Sequence, residues 1–316
     1  MFLGAPEDLT PTATPVPGVA ANDLTAVLNH VNANAAAGHF TWLLGENIPV
    51  AGDTTRGLNQ TDARLTIIGI GQERTISLTS AGRIFTLGAD GQTGISLTLG
   101  NNVALVGLAN NTTGLARTQN AAALTMLEGS EIRGNTSSGT SVANDLGAAV
   151  NVQESGSFTM RGGRITGNHS MGGASGLRAG VNTVITLAGG SITGNTTDFI
   201  GGAGIFIASP AASVTLSGTA AVGTLMLVAD NATTRGSLII ATGWTGTVAE
   251  LHLLALSPNI VGAINLWNNN AVLTGPGVNA TTVGQITLGN FIPGLGAPQP
   301  ITDTHRVNAS GVLVEN

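Results

Sequence analysis

The chain of 316 residues contains no cysteine, no lysine and no tyrosine. Without cysteine there are no disulfides, zinc thiolate sites or thiol nucleophiles. Without lysine there are no Schiff bases and no Lys-to-Asn isopeptide crosslinks. All 11 basic residues are arginine, 17 carboxylates outnumber them, and the net charge is −6. No basic face is expected that would neutralise a phosphate backbone, which speaks against nucleic acid and anionic membrane as partners. No apolar run approaches the roughly 18 residues of a helical membrane span. The opening Met1-Phe2-Leu3-Gly4-Ala5-Pro6 lacks the basic start and apolar middle of a signal peptide, so an export leader is expected to lie outside these residues.

What is abundant is glycine, 46 residues, in a chain whose mean hydropathy is +0.30 and whose charged fraction is 9%. A disordered chain is rich in charge and poor in Val, Ile and Leu, so this one is expected to fold. Three copies of one phrase organise it: Gly129-Ser130-Glu131-Ile132-Arg133-Gly134-Asn135, Gly162-Gly163-Arg164-Ile165-Thr166-Gly167-Asn168 and Gly189-Gly190-Ser191-Ile192-Thr193-Gly194-Asn195. The spacings of 33 and 27 residues lie in the range where one repeat is one unit of a solenoid. Within the phrase the Ile points one way, its neighbours point the other, and Gly-Asn permits a corner.

Upstream of each copy stands an alternating strand, Leu124-Thr125-Met126, Phe158-Thr159-Met160 and Ile185-Thr186-Leu187, and Val214-Thr215-Leu216 begins a fourth. A third strand per repeat comes from Ala148-Ala149-Val150-Asn151-Val152, Leu177 and Ile205-Phe206-Ile207. Three short strands per period predict an all-β, right-handed parallel β-helix of some ten coils, running from 39 to 316 and most regular over about 124–220. Residues 1–21, with Pro6, Pro11, Pro15 and Pro17, predict an extended arm. Residues 22–38 predict a capping helix: Asn22 or Asp23 caps it, Leu24, Val27, Leu28 and Val31 fall on one face, and Gly38 stops it. A solenoid end needs such a cover.

The residues also resemble a known family, the right-handed parallel β-helix surface proteins of the pectin-lyase-like superfamily, in particular spirochaete-type secreted or cell-surface proteins with Gly-Gly-x-Ile-x-Gly-Asn repeats. Carrying the resemblance are Leu65-Thr66-Ile67-Ile68-Gly69, Arg74-Thr75-Ile76-Ser77-Leu78, Leu97-Thr98-Leu99-Gly100-Asn101-Asn102-Val103, Gly243-Trp244-Thr245-Gly246-Thr247-Val248 and the tail from Thr304 to Val314. It implies a bacterial extracellular or cell-surface location more than any chemistry, because one coil type supports lyases, hydrolases, adhesins and passive passengers.

Among candidate sites, Asn135, Asn168 and Asn195 recur beside Ile132, Ile165 and Ile192 and are expected to stack as a structural amide ladder. A polysaccharide-cleaving groove needs converging carboxylates. Asp145, Glu154 and Asp198 are the acids read as lying near the regular coils, and register on the asparagines brings His169 near Asp198, with Arg178 in the same polar group. Asp145, His169, Arg178 and Asp198 therefore form the alternative site. No acidic cluster supports calcium at Asp198 or Asp145. Trp42, Trp244 and Trp267 are expected to fill the core rather than meet sugar rings. Outward Thr159, Thr186 and Thr215 invite an ice-binding reading, but a broad Thr-x-Thr grid is missing. Gly172–Gly176 and Gly201–Gly204 read as coil turns, since no lysine meets a phosphate there.

The expectation is a non-catalytic structural or adhesin-like β-helix with no cofactor or metal. Its expected partners are further copies of itself, as an oligomer or filament joined through the arm or the solenoid ends, or an extracellular glycan, host or matrix surface. The alternative is a polysaccharide lyase or hydrolase, or a glycan-binding module.

Overall fold

The computed structural model describes residues 14–15, 22–139, 149–199, 203–229, 235–255, 263–293 and 297–316. Short strands stack in parallel as a β-solenoid of about 7 turns. The turns are fewer than the ten expected, and the tail forms an antiparallel pair in place of a further coil.

Through the first six coils the tube has three faces. The first is a 10-stranded sheet in which His39–Leu44, Arg64–Gly69, Ser96–Leu99, Ala123–Met126, Ser157–Met160, Val184–Leu187 and Ser213–Leu216 follow in order. At a strand spacing of about 4.8 Å this sheet runs on the order of 40 Å. The second face stacks Ile48–Val50, Arg74–Leu78, Val103–Val106, Glu131–Arg133, Arg164–Thr166 and Ser191–Ile192. The third stacks Gly57–Leu58, Phe85–Leu87, Ala116–Thr118, Val150–Val152, Ala174–Ala179 and Ala203–Ile207. In the seventh coil the corner between them is omitted. One strand, Ala221–Ala229, pairs with Ser191–Ile192 through its first residues and with Ile205–Ile207 through its later ones. Thr247–Ala255 and Ile286–Pro293 continue this wider sheet.

Alternation decides which residues fill the tube. Ile132, Ile165 and Ile192 pair in register and are buried, as are Leu124, Phe158, Ile185 and Val214 in the first face. Trp42, Trp244 and Trp267 are buried too, and Trp244 Nε1 donates to the Ala220 carbonyl at 3.1 Å. The corners depend on glycine: Gly163 adopts φ +77°, and a Cβ there would run into the Ser130 carbonyl oxygen of the coil before.

Both ends are closed by the chain's own segments. The helix Leu24–Ala33 starts at Asp23, whose carboxylate accepts from the Ala26 N–H at 2.9 Å, and buries Leu24, Val27, Leu28 and Val31. Its Asn32 carboxamide donates to the Gly57 carbonyl at 2.9 Å and accepts from the Asn59 N–H at 3.0 Å, seating the helix on the edge of the third face. Thr14–Pro15, the described part of the predicted arm, pairs in parallel with Phe40–Thr41 at the edge of the first face. At the edge of the second, Pro49 removes a backbone donor.

The last residues form an antiparallel hairpin, His305–Val307 with Leu313–Glu315, where a further parallel coil was expected. Asn308 reverses the chain there by accepting from the N–H groups of Ser310 and Val312, with Gly311 at φ +80°. The hairpin lies on the final edge of the first face through the Ala271–Val312 bridge. Replacing Asp23 with Ala is expected to cost about 1 kcal/mol through loss of the cap, read as a lower denaturation midpoint.

Candidate functional site

The corner between the second and third faces carries extra chain in the fourth to sixth coils, where Thr136–Ser137, His169–Ser170 and Thr196–Thr197 form a small sheet of their own. Inside this corner the asparagines make a continuous column. Asn168 Oδ1 accepts from the Asn135 N–H at 3.1 Å, and Asn195 Oδ1 accepts from the Asn168 N–H at 3.1 Å and from its carboxamide at 3.0 Å. Asn111 extends the column: its carboxamide donates to Asn135 Oδ1 and to the Gly82 carbonyl, both at 2.9 Å, and accepts from the Gly82 N–H at 2.8 Å. Asn111, Asn135 and Asn168 are fully buried, so the column binds coil to coil and presents nothing to solvent there.

Of the alternative site, the structure brings His169 and Asp198 together, with Nε2 3.4 Å from the carboxylate, while His169 Nδ1 lies 3.0 Å from the Thr196 hydroxyl. Asp198 is more than half exposed. Arg178 stands in the third face, paired in register with Asn151 and Phe206. Asp145 lies outside the described residues. Glu154 is 3.9 Å from Arg117, at a separate turn.

A stronger charged group stands on the second face, built on acids other than Asp145, Glu154 and Asp198. Glu131 and Arg133 flank the inward Ile132 and point outward, where they meet Arg164 of the next coil and Glu73 near the second. Arg164 donates to Glu131 at 2.8 Å, Arg133 bonds the same carboxylate, and Arg133 reaches Glu73 at 2.7 Å. Glu73, Glu128, Ser130, Glu131, Arg164 and Ser191 line a cleft of about 250 Å³ here. Burial opposes ionisation of Glu131, but the Arg164 hydrogen bond and the charges of Arg133 and Arg164 outweigh it and hold the carboxyl below its ordinary value of 4.5. A carboxylate so engaged stays ionised at neutral pH and serves as a clamp between coils rather than as a proton donor. Pairing Glu131 with Arg164 at the coil spacing of 33 residues is the sequence signal that would have found it.

The first face presents an unbroken outward column: Thr41, Thr66, Thr98, Thr125, Thr159, Thr186 and Thr215 pair one with the next. Beside it run Ser96, Ala123, Ser157, Val184 and Ser213 in the same register. Thr66 is sealed under His39, whose Nε2 is 2.8 Å from its hydroxyl, whereas Thr125, Thr159, Thr186 and Thr215 are half-buried. A groove of about 320 Å³ crosses this face between Arg64 and Ala123.

Among the described residues, no group of three or more His, Asp or Glu is placed to hold a metal ion, and no helix is long and apolar enough to cross a membrane. No protein-family model matches the chain, and neither a curated protein nor a solved structure matches it.

Proposed function

We propose that this protein is a non-catalytic, structural and adhesin-like β-helix of the bacterial cell exterior, of the pectin-lyase-like kind its repeats resemble. In this reading it meets an extracellular glycan or matrix surface along its threonine face. The observation that carries it is the column from Thr125 to Thr215 with its flank of Ala, Ser and Val, a hydroxyl-bearing surface whose repeat of about 4.8 Å suits an extended polymer lying along the stack. Hydroxyls there can donate to and accept from sugar hydroxyls, while the charged clamp sits on another face.

The test is binding of the purified chain to a panel of immobilised polysaccharides, beside a Thr125→Val, Thr159→Val, Thr186→Val triple variant. Valine keeps shape and strand preference while removing three hydroxyls. Binding to one class, weakened about tenfold to hundredfold in the variant, is the expected result. Equal binding by both proteins would sink the reading.

The unit is taken to be a single closed solenoid rather than a fibre subunit, because Thr14–Pro15, the helix and the tail hairpin occupy the edges that another copy would use. Light scattering is expected to give the mass of one chain, 31.4 kDa. Deleting residues 1–21 bares the Phe40–Thr41 edge and is expected to promote association. Filaments of the intact chain would reverse this conclusion.

The contact of His169 with Asp198 and Thr196 favours a second reading, a polysaccharide lyase or hydrolase. Cleavage of a polysaccharide that disappears in His169→Ala would establish it.

A further inference from the structure

The wide sheet of the last coils contains an irregularity with a titratable group at its centre. Leu251 pairs with Leu288, yet Leu253 pairs with Phe291, so the later strand carries one extra residue opposite His252. This is a β-bulge, which leaves a backbone group out of the ladder. The Asn290 N–H is that group, and it donates to His252 Nδ1 at 2.9 Å. Gly289 makes room for the ring, since a Cβ there would lie 2.6 Å from Nδ1.

An imidazole nitrogen that accepts from an N–H must carry its lone pair. His252 is therefore neutral with its proton on Nε2, where it faces Glu250 at 3.1 Å. The ring is 3% exposed and lies beside Met226, at the margin of an outer apolar layer of Phe206, Met226, Val228, Leu254 and Ile292. Among the described residues Glu250, on its own strand, is the charged group in contact with it; Met226 from one neighbouring strand and Gly289 and Asn290 from the other carry no charge.

We propose that His252 is an acid-operated latch that holds the bulged strand Ile286–Pro293 onto Thr247–Ala255. A proton arriving at Nδ1 sets N–H against N–H, the bulge loses its acceptor, and the charged ring is drawn toward water. Burial lowers the affinity of the ring for that proton against the pull of Glu250, so the latch is closed above the ordinary histidine value of 6.5 and is lost as pH falls below it. Opening bares the edge of a nine-residue strand, the kind of edge on which chains associate.

Hydrogen exchange on the full chain at pH 7.5 and pH 5, corrected for intrinsic rates, tests this. Amides of residues 286–292 are expected to lose protection by about tenfold or more at pH 5, while those around Ile165 and Ile192 keep theirs. The Glu131 clamp titrates below this range and does not contribute. In His252→Asn, whose Oδ1 takes the place of Nδ1 and accepts from the Asn290 N–H without titrating, the difference between the two pH values is expected to vanish. Loss of protection to the same degree in the variant, or none in the wild type, overturns the latch. Should the variant not fold, imidazole nitrogen NMR of the wild type decides: a doubly protonated His252 at pH 7.5, or one that stays neutral while residues 286–293 open, is equally fatal.

Discussion

Asn168→Ala is expected to lower the stability of the fold by about 3–5 kcal/mol, the largest effect of any single polar substitution considered. The carboxamide is fully buried and acts in both directions: its oxygen accepts from the Asn135 N–H, and its nitrogen donates to Asn195 Oδ1 and to the carbonyls of Ile132 and Thr166. Alanine strands a buried backbone donor and two carbonyls, and each such orphan costs about 1–3 kcal/mol. Asn168→Asp separates the two roles. Aspartate keeps the acceptor for Asn135 but places lone pairs against Asn195 Oδ1 and Ile132 O, so it is expected to fold poorly at pH 7 and to recover partly in acid, where a protonated carboxyl donates again. Denaturation midpoints of both variants across pH measure this; an Asp variant insensitive to pH would show that the column does not work through donated hydrogen bonds.

The second large effect is expected at Glu131. Glu131→Gln removes the charge to which both Arg133 and Arg164 are bonded, while Arg133 retains Glu73. Breaking a buried pair costs about 3–5 kcal/mol. Because the Arg164 side chain is 61% exposed, water screens part of the loss and the expected cost at pH 7 is about 2–3 kcal/mol. The pH dependence follows from the direction of the shift: the folded-state value lies below the ordinary 4.5, so the contribution is complete above 4.5 and is lost as pH falls through the folded value. Wild type and variant are thus expected to converge in strong acid. Parallel stability curves down to that range would remove the clamp from the account.

The architecture was legible in the sequence wherever a chemical alternation coincided with the coil period. Ile132, Ile165 and Ile192 announce inward positions, and Thr159, Thr186 and Thr215 announce an outward column, because in both cases one residue type holds one slot. The helix was legible from the spacing of Leu24, Val27, Leu28 and Val31 behind an acidic cap. Complementarity, by contrast, leaves no repeated letter. Glu131, Arg164 and Ser191 share one slot, and the slot works because its occupants differ in charge from coil to coil.

Asn111 escaped for a related reason. It enters the column without a Gly-x-Ile phrase before it, since Asn110-Asn111-Thr112 follows a different turn. The merging of two faces in Ala221–Ala229 has a negative signal: Ala220-Ala221-Val222-Gly223-Thr224 opens like the phrase but lacks the Gly-Asn corner, so the strand runs on. For His252 no local pattern exists, because its partner Asn290 is 38 residues away and is made available only by the bulge.

The asparagine column also has a consequence for how such a molecule can change over generations. Asn168 Oδ1 receives the backbone N–H of Asn135, and Asn195 Oδ1 receives that of Asn168, so the segment from Asn168 to Asn195, 27 residues apart, is a module with the same joint at its two boundaries. Copying it once, or removing it, rejoins like to like and leaves the two terminal covers untouched. Length is therefore a quantity that tandem duplication can adjust in whole steps, with no other residue obliged to change.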